Sequence, residues 1–381
     1  MLKNKMTQTL LALAVLSSAA VFTTAPVQAE EEEKVIYADD RLIVQIEDGI
    51  NPKEVAAEYG IETVQPLGEG VENWHIFYVK PGEVDYWLDK LRDAKYIKLI
   101  ERDIKIFPKL LYPDPEYKYQ WHQEFIGADK LWKYDHTYRT IAFIDSGVDY
   151  SHADLRSRII PGYDFVNRDT IADDELGSGT HVAGIAAAAH NFTGGKGVDA
   201  SAYIMPLKVL DKDGSTYTST ITEAIYWAAN HGAHVISITP GTTTGRTSSM
   251  ESAVNYAWQK GSFLVANAGN NSSSTPRYPA AYANVFSVAA TDPDDKIWYR
   301  SNRGLWVDLA APGTYIYSTR LGGGMEHKTG TEQAAAVTAG AASLLWQGNM
   351  SNLQVRNKLI ELAIPIPYTG TYWEYGRLNL I

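Results

Sequence analysis

The chain has 381 residues, no cysteine and a formal net charge of −11 at pH 7. The lack of cysteine excludes disulfide bonds, thiolate metal sites and a cysteine nucleophile. Hydrophobic residues make up 45% and charged residues 21%, which is typical of a globular protein with room for a large core. Because a negatively charged chain repels phosphate and anionic lipid, we expect no nucleic-acid partner.

Residues 1–29 have the pattern of an export signal. Lysines precede an apolar run over Leu10–Val21, and the small residues of Val27-Gln28-Ala29 suit cleavage before Glu30. The alternative is a transmembrane anchor, but an unbroken span needs about 20 apolar residues and this run is shorter. We therefore predict a signal peptide, a secreted and extracellular protein, and no membrane insertion after signal cleavage.

Residues 30–109 alternate strand and helix patterns, which predicts one small α+β unit. Asn51 is suited to cap a helix whose first turn holds Pro52, and Gly60 would end it. Two prolines within Leu110–Pro115 favour an extended linker after the unit. The predicted elements are strands over Arg41–Ile46 and Trp74–Val79 and helices over Asn51–Gly60 and Pro81–Ala94.

From about Tyr119 onward, apolar strands alternate with helices. Near-continuous apolar runs are typical of strands buried on both faces, and the alternation predicts a parallel sheet covered by helices. In such sheets, functional sites form at the carboxyl ends of the strands. The predicted strands are Thr140–Ile144, His234–Ile238 and Ser262–Ala266, and the predicted helices are Ile221–Asn230, Ser249–Lys260 and Glu332–Gln347.

Three polar residues at the ends of these elements are candidates for chemistry. Asp145 follows a predicted strand, where it could orient an imidazole or cap a turn. His181 is followed by small residues that let a helix pack closely, and it is either a presented imidazole or a buried structural histidine. Asn270 ends another strand, and its amide could donate to a developing oxyanion or simply belong to a turn.

Asp145, His181 and Asn270, in this order, resemble the pattern of the subtilisin-like serine peptidases, or subtilases. The resemblance covers nearly everything after the signal peptide. It implies a subtilisin-like α/β domain of three layers with a parallel central sheet over residues 110–381. A small α+β inhibitor-like prodomain would precede it over residues 30–109. The segments closest to the thermitase type are Tyr163–Val166, Ala253–Trp258, Tyr278–Ala280 and Ala311–Gly313.

The resemblance implies a role for each site residue. Asp145 would be the orienting acid, His181 the general base and Asn270 the oxyanion donor. The serine nucleophile should follow Gly330-Thr331, and this chain has Glu332 there. Substrate binding would involve Ser215, Gly241, Ala268 and Gly269.

Glu332 conflicts with serine-peptidase chemistry, because an ionised carboxylate has no proton for a histidine to accept. Other departures cluster around it. Ser178 stands where the family's His-Gly-Thr-His run begins with histidine, and Pro240 removes an N–H from a segment that binds substrate as an added strand. We therefore predict a catalytically impaired pseudoprotease with a binding or regulatory role. The alternative is a working endopeptidase, either with water activated by Glu332 and His181 or with Thr331 as nucleophile.

The resemblance also implies a calcium site and two kinds of partner. Asp154 matches a calcium ligand of the family, Asn191 lies in the partner loop, and Asp114 could be a third oxygen donor. Solvated surface acids are the alternative reading. The expected partners are a protein or peptide ligand in the former substrate cleft and the chain's own prodomain.

Overall fold

The computed structural model describes residues 37–68, 70, 71, 73–104, 114–133 and 138–381. The chain divides into two compact units, Met1–Lys109 and Leu110–Ile381. The predicted signal peptide, most of the predicted linker and the end of the predicted prodomain lie outside the described residues, so these assignments stay predictions. Across the described ranges, no helix has both the length and the apolar character needed to cross a membrane.

The first unit has an antiparallel sheet in the order β2-β3-β1-β4 and its own apolar core. The Asn51 side chain accepts a hydrogen bond from the Lys53 N–H at the start of α1, which confirms the predicted cap. Helix α2 is shorter than predicted, because Gly82 has a φ of +85° in a turn before it. The elements are β1 (Tyr37–Ile46), α1 (Pro52–Glu58), β2 (Thr63–Pro66), β3 (Trp74–Tyr78), α2 (Val84–Leu91) and β4 (Ile97–Ile104).

The second unit is built on a seven-stranded sheet in the order β11-β10-β9-β8-β5-β7-β6, with each pair parallel. Strands β12 and β13 form a separate antiparallel pair. The strands are β5 (Thr140–Asp145), β6 (Tyr163–Asp164), β7 (Tyr203–Lys208), β8 (Val235–Ile238), β9 (Phe263–Asn267), β10 (Val285–Thr291), β11 (Leu309–Pro312), β12 (Ile316–Thr319) and β13 (Met325–Lys328). The helices are α3 (Trp121–Phe125), α4 (Ala128–Leu131), α5 (Ser178–Ala187), α6 (Thr218–Asn230), α7 (Ser248–Gln259), α8 (Thr331–Leu345) and α9 (Asn352–Leu362).

Successive residues of β5 point into different apolar layers. Ile141 and Phe143 pack in the layer that contains α5 and α8, whereas Ala142 and Ile144 pack in the layer that contains α6 and α7. A strand that is covered on both faces needs apolar side chains at every position, which explains the continuous apolar runs of the sequence. The predicted three-layer α/β architecture with a parallel central sheet is confirmed.

The topology gathers the candidate residues at one edge of the sheet. Because the strands are parallel, the carboxyl ends of β5, β8 and β9 meet at the same edge. Asp145 is the last residue of β5, and β9 leads directly into Ala268–Asn270. Helix α5 begins at Ser178 and helix α8 at Thr331, so two helix N-termini carry further candidates.

Candidate active site

Asp145 is fully buried and faces a hydroxyl group. Its Oδ1 accepts the Ser146 N–H at 2.6 Å, and its Oδ2 accepts the Ser178 hydroxyl at 3.2 Å. Burial raises the pKa of the Asp145 carboxyl to about 6, although hydrogen bonds from Thr239, Ser146 and Ser178 oppose the shift. The predicted orienting acid is therefore at the expected place, but it has a serine beside it.

His181 lies in the interior, with no part of its side chain exposed. Its Nε2 is 3.2 Å from the carbonyl oxygen of Glu326. Burial, and next the positive charge of Lys328, lower the pKa of this imidazole to about 3. At neutral pH the ring is thus neutral, and its Nε2–H donates to a backbone carbonyl.

The prediction that His181 is the general base is wrong on this geometry. Within the described part of the chain, no hydrogen bond joins His181 to Asp145 or to Glu332. A Cβ at Gly179 would overlap with the carbonyl oxygen of Gly147, so the glycine lets the start of α5 approach the end of β5 closely. This approach places Ser178 at the acid and leaves His181 deeper in the core.

Water activation by Glu332 and His181 together has no support in this geometry, since the imidazole is buried on a backbone carbonyl and the Glu332 carboxylate pairs with Asn270. The geometry also identifies which residue of the segment Ser178–His181 lies beside Asp145. The family run begins with a histidine where this chain has Ser178, and Ser178 is the residue that contacts Asp145. The departure at Ser178 was visible in the sequence, but the sequence alone did not show which member of the run faces the acid.

On the other side of the site, Asn270 and Glu332 form a pair. The Asn270 Nδ2 donates to both carboxylate oxygens of Glu332, at 2.9 and 2.8 Å. The Asn270 Oδ1 accepts the N–H and the hydroxyl of Thr331, at 3.0 and 2.7 Å. Glu332 is in the first turn of α8, where the helix dipole favours a carboxylate. The amide predicted to stabilise an oxyanion is thus engaged by Glu332.

Thr331 is excluded as an alternative nucleophile. Its side chain is fully buried, and its hydroxyl donates to Asn270 while it accepts the Gly269 N–H at 3.0 Å. A hydroxyl held in two hydrogen bonds inside the protein cannot reach a peptide carbonyl. Thr331 therefore has a structural role, which is to join the end of β9 to the start of α8.

A cleft of about 600 Å³ opens beside Glu332. Of the four predicted substrate-binding residues, Gly241 lines this cleft and Ser215 lines a neighbouring hollow of about 420 Å³. Ala268 is fully buried, and the Gly269 N–H is bound to Thr331. The cleft is lined by Leu210, Gly214, Thr216, Tyr217, Thr218, Ile221, Thr239, Pro240, Gly241, Thr242, Thr244, Gly245, Arg277 and Glu332.

The three residues predicted to bind calcium lie close together. Both oxygens of Asp114 are hydrogen-bonded, Oδ1 to the N–H groups of Asn191 and Phe192 and Oδ2 to His190, and its role as a third oxygen donor stays a prediction. Asp154 contacts the Asn191 side chain and the Thr193 hydroxyl. Among the described residues, no three His, Cys, Asp or Glu side chains are grouped as a metal site. The calcium site predicted at Asp154, Asp114 and Asn191 stays a prediction.

Asp174 is a residue of the site that sequence reasoning missed. Its buried carboxylate accepts hydrogen bonds from the Ser146 hydroxyl, from the N–H groups of Leu176 and Gly177, and from both the N–H and the hydroxyl of Thr180. These bonds fix the start of α5 against the end of β5. The available signal was an acid shortly before a helix start, which is a common N-terminal pattern.

The fold and the site define an α/β protein whose functional edge is the carboxyl edge of a parallel sheet. Sequence comparison narrows this class. The family model described as the subtilase family matches residues 138–376, and the chain belongs to this family. The prediction of a subtilisin-like fold is thereby confirmed.

Individual relatives agree with the family match. The chain is 38% identical over 355 residues to the thermophilic serine proteinase of Bacillus sp. (strain AK1), covering 91% of this chain and 88% of that protein. It is 43% identical to the thermitase of Thermoactinomyces vulgaris, covering 63% of this chain and 86% of the relative. A solved structure of a protease from Pseudoalteromonas arctica PAMC 21717 aligns with a TM-score of 0.66 at 27% identity, covering 70% of this chain and 96% of that one.

Proposed function

We propose that this chain is a secreted subtilisin-like protein that lacks peptidase activity and uses its former substrate cleft for binding. The observation that carries the proposal is the contact between Asp145 and Ser178. A serine hydroxyl cannot accept a proton at neutral pH, so the orienting acid has no general base to orient.

Two further roles of a serine peptidase are also affected, those of the nucleophile and of the oxyanion donor. On the family resemblance, Glu332 stands in the place of the nucleophilic serine. Both of its carboxylate oxygens accept from the Asn270 Nδ2, so this amide is already engaged. A developing oxyanion would have to compete with a carboxylate that is already bound there. The alternative, a working endopeptidase, is favoured only by the names of the relatives, which describe those proteins.

The same proposal gives the first unit the role of a prodomain over residues 30–109. Its four-stranded sheet with two helices suits the small inhibitor-like unit that the resemblance implies. The match to the Bacillus proteinase extends over 355 residues, which is more than the second unit alone contains. Without a competent site, this segment stays attached unless another protease removes it. A calcium ion held by Asp154 and Asn191 remains part of the proposal.

Intact-mass measurement tests the proposed loss of activity. The wild-type protein is produced in a host without extracellular proteases, beside Ser178→His, Glu332→Ser and the variant with both changes. We expect the wild type and both single variants to keep residues 30–109. Cleavage by the double variant alone would show that these two positions account for the loss. Self-cleavage by the wild type that disappears in Ser178→Ala would overturn the proposal.

A further inference from the structure

Arg277 is the cation of the cleft beside Glu332. It is partly buried, and among the lining residues that the structure describes it is the one with a positive charge. Its side chain runs between the two glycines predicted to bind substrate. A Cβ at Gly241 would lie 3.0 Å from the Arg277 Nε, and a Cβ at Gly269 would lie 2.8 Å from the Arg277 Cδ. The Arg277 side chain can lie here because neither glycine has a side chain that would collide with it.

The Arg277 guanidinium is short of partners. Its Nε is buried without a hydrogen bond among the described residues, and no carboxylate of the described chain lies within ion-pair distance. Glu332 faces the same cleft, but its two oxygens are held by Asn270. The charge of Glu332 acts on Arg277 without an ion pair, so the partly buried guanidinium is only partly compensated, and a ligand carboxylate in direct contact would relieve this cost.

We infer that the cleft recognises peptides through a carboxylate group, either an acidic side chain or a free C-terminus, which binds the guanidinium of Arg277. The planar guanidinium presents paired N–H donors that match a carboxylate in two parallel hydrogen bonds. This inference rests on the proposed binding role of the cleft and specifies its ligand.

The negative net charge of the chain cannot explain a preference for acidic peptides. A protein with a formal charge of −11 repels acidic peptides at long range. Any preference for an acidic over a neutral peptide must therefore come from a particular cation. The hydroxyl groups of Thr216, Thr239 and Thr242 also line the cleft, and they offer polar contacts to a peptide backbone without adding charge.

The test measures the affinity of the full-length protein for matched peptides by fluorescence anisotropy. One set has a single Glu and an amidated C-terminus, a second has Gln in its place, and a third is neutral with a free C-terminus. We expect at least about tenfold tighter binding of a carboxylate-bearing set than of the Gln set, since hydrogen bonds to charged groups are strong. The set that binds tighter identifies the source of the carboxylate.

Arg277→Gln should abolish the preference, and Arg277→Lys should retain only part of it, because an ammonium does not form the paired contact. The matched control is Arg168→Gln, which removes a cation from the neighbouring hollow where Arg168 is paired with Glu223. This control should keep the preference unchanged.

Two results would overturn the inference and can be told apart. Equal binding of the Glu and Gln sets, or a preference that survives Arg277→Gln, would overturn carboxylate recognition while the proposed peptide binding stands. Absence of binding to every set would overturn both. Mass spectrometry of the same mixtures checks for hydrolysis, which would overturn the proposed lack of peptidase activity alone.

Discussion

The two sides of the former catalytic site differ in how they hold a carboxylate. Asp145 is fully buried beside Ser178, and its pKa is raised to about 6 by burial. Glu332 is partly exposed at a helix N-terminus, and an amide donates to both of its oxygens. Burial thus opposes the ionisation of Asp145, whereas the Asn270 amide and the start of α8 stabilise the carboxylate of Glu332.

The two carboxylates differ in what they contribute to stability. Asp145 follows from the position of β5 in a parallel sheet, and without an imidazole its burial is a cost to stability. Glu332 and Asn270 form contacts that stabilise the junction of β9 and α8. We therefore expect substitutions on the two sides to have effects of opposite sign.

Asp145→Asn should stabilise the protein at neutral pH. The folded-state pKa of about 6 lies above the ordinary value of 3.8 for this carboxyl, so the folded state binds more protons and stability falls as pH rises through this window. At 1.36 kcal/mol per pKa unit, removing the charge should raise the free energy of unfolding by about 1–3 kcal/mol at about pH 7.5 and by little at about pH 4. Urea denaturation at both pH values measures the difference.

The matched control is Asp174→Asn, at a carboxylate that is also buried but is well supplied with donors. An amide accepts fewer hydrogen bonds, so several donors around the start of α5 lose their partner. We expect a loss of about 3 kcal/mol in the same urea titration. If both substitutions stabilise the protein, or neither does, Asp145 and Asp174 do not differ in how well their buried charge is compensated.

Acidification should destabilise the protein through two buried histidines. Burial is the main reason that the pKa values of His122 and His181 are lowered to about 3. The charge of His181 adds to the shift of His122, and the charges of Lys328 and His327 add to that of His181. The unfolded chain therefore binds more protons below about pH 6.5, and stability falls as pH falls. Because Asp145 acts in the opposite direction, the net loss between about pH 7.5 and 5.5 should be about 2 kcal/mol.

The same pH series in Asp145→Asn should show a steeper loss, since the opposing group is gone. The free energy of unfolding from urea titrations gives both slopes. Identical slopes in the wild type and the variant would show that Asp145 does not take up a proton in this range.

The smallest effect is expected for the coupling free energy between Asn270 and Glu332, which a double-mutant cycle measures. We expect Asn270→Ala and Glu332→Ala to be coupled by about 1–2 kcal/mol, because each removes the partner of the other. Glu332→Gln keeps an oxygen acceptor and should lose less than Glu332→Ala. Additive effects would contradict the view that this side is organised around the pair.

The architecture was predictable from the sequence, because apolar runs and glycine stops are local signals. Strand β5 and the cap at Asn51 were located in this way. The role of His181 was not, since Ser178 and His181 are three residues apart and the helical period alone does not decide which one meets the acid. The packing of Gly179 on Gly147 decides this. The partners of Arg277 and Asp174 also depend on contacts between distant segments, which a single sequence does not reveal.

The rate of peptide hydrolysis by the wild-type protein tests the central claim most directly. The protein from a protease-deficient host is assayed on a fluorogenic peptide library across a range of pH, beside Ser178→Ala and Glu332→Ala. We predict that all three proteins give the rate of a heat-denatured sample. Hydrolysis by the wild type that is lost in either variant would contradict the account.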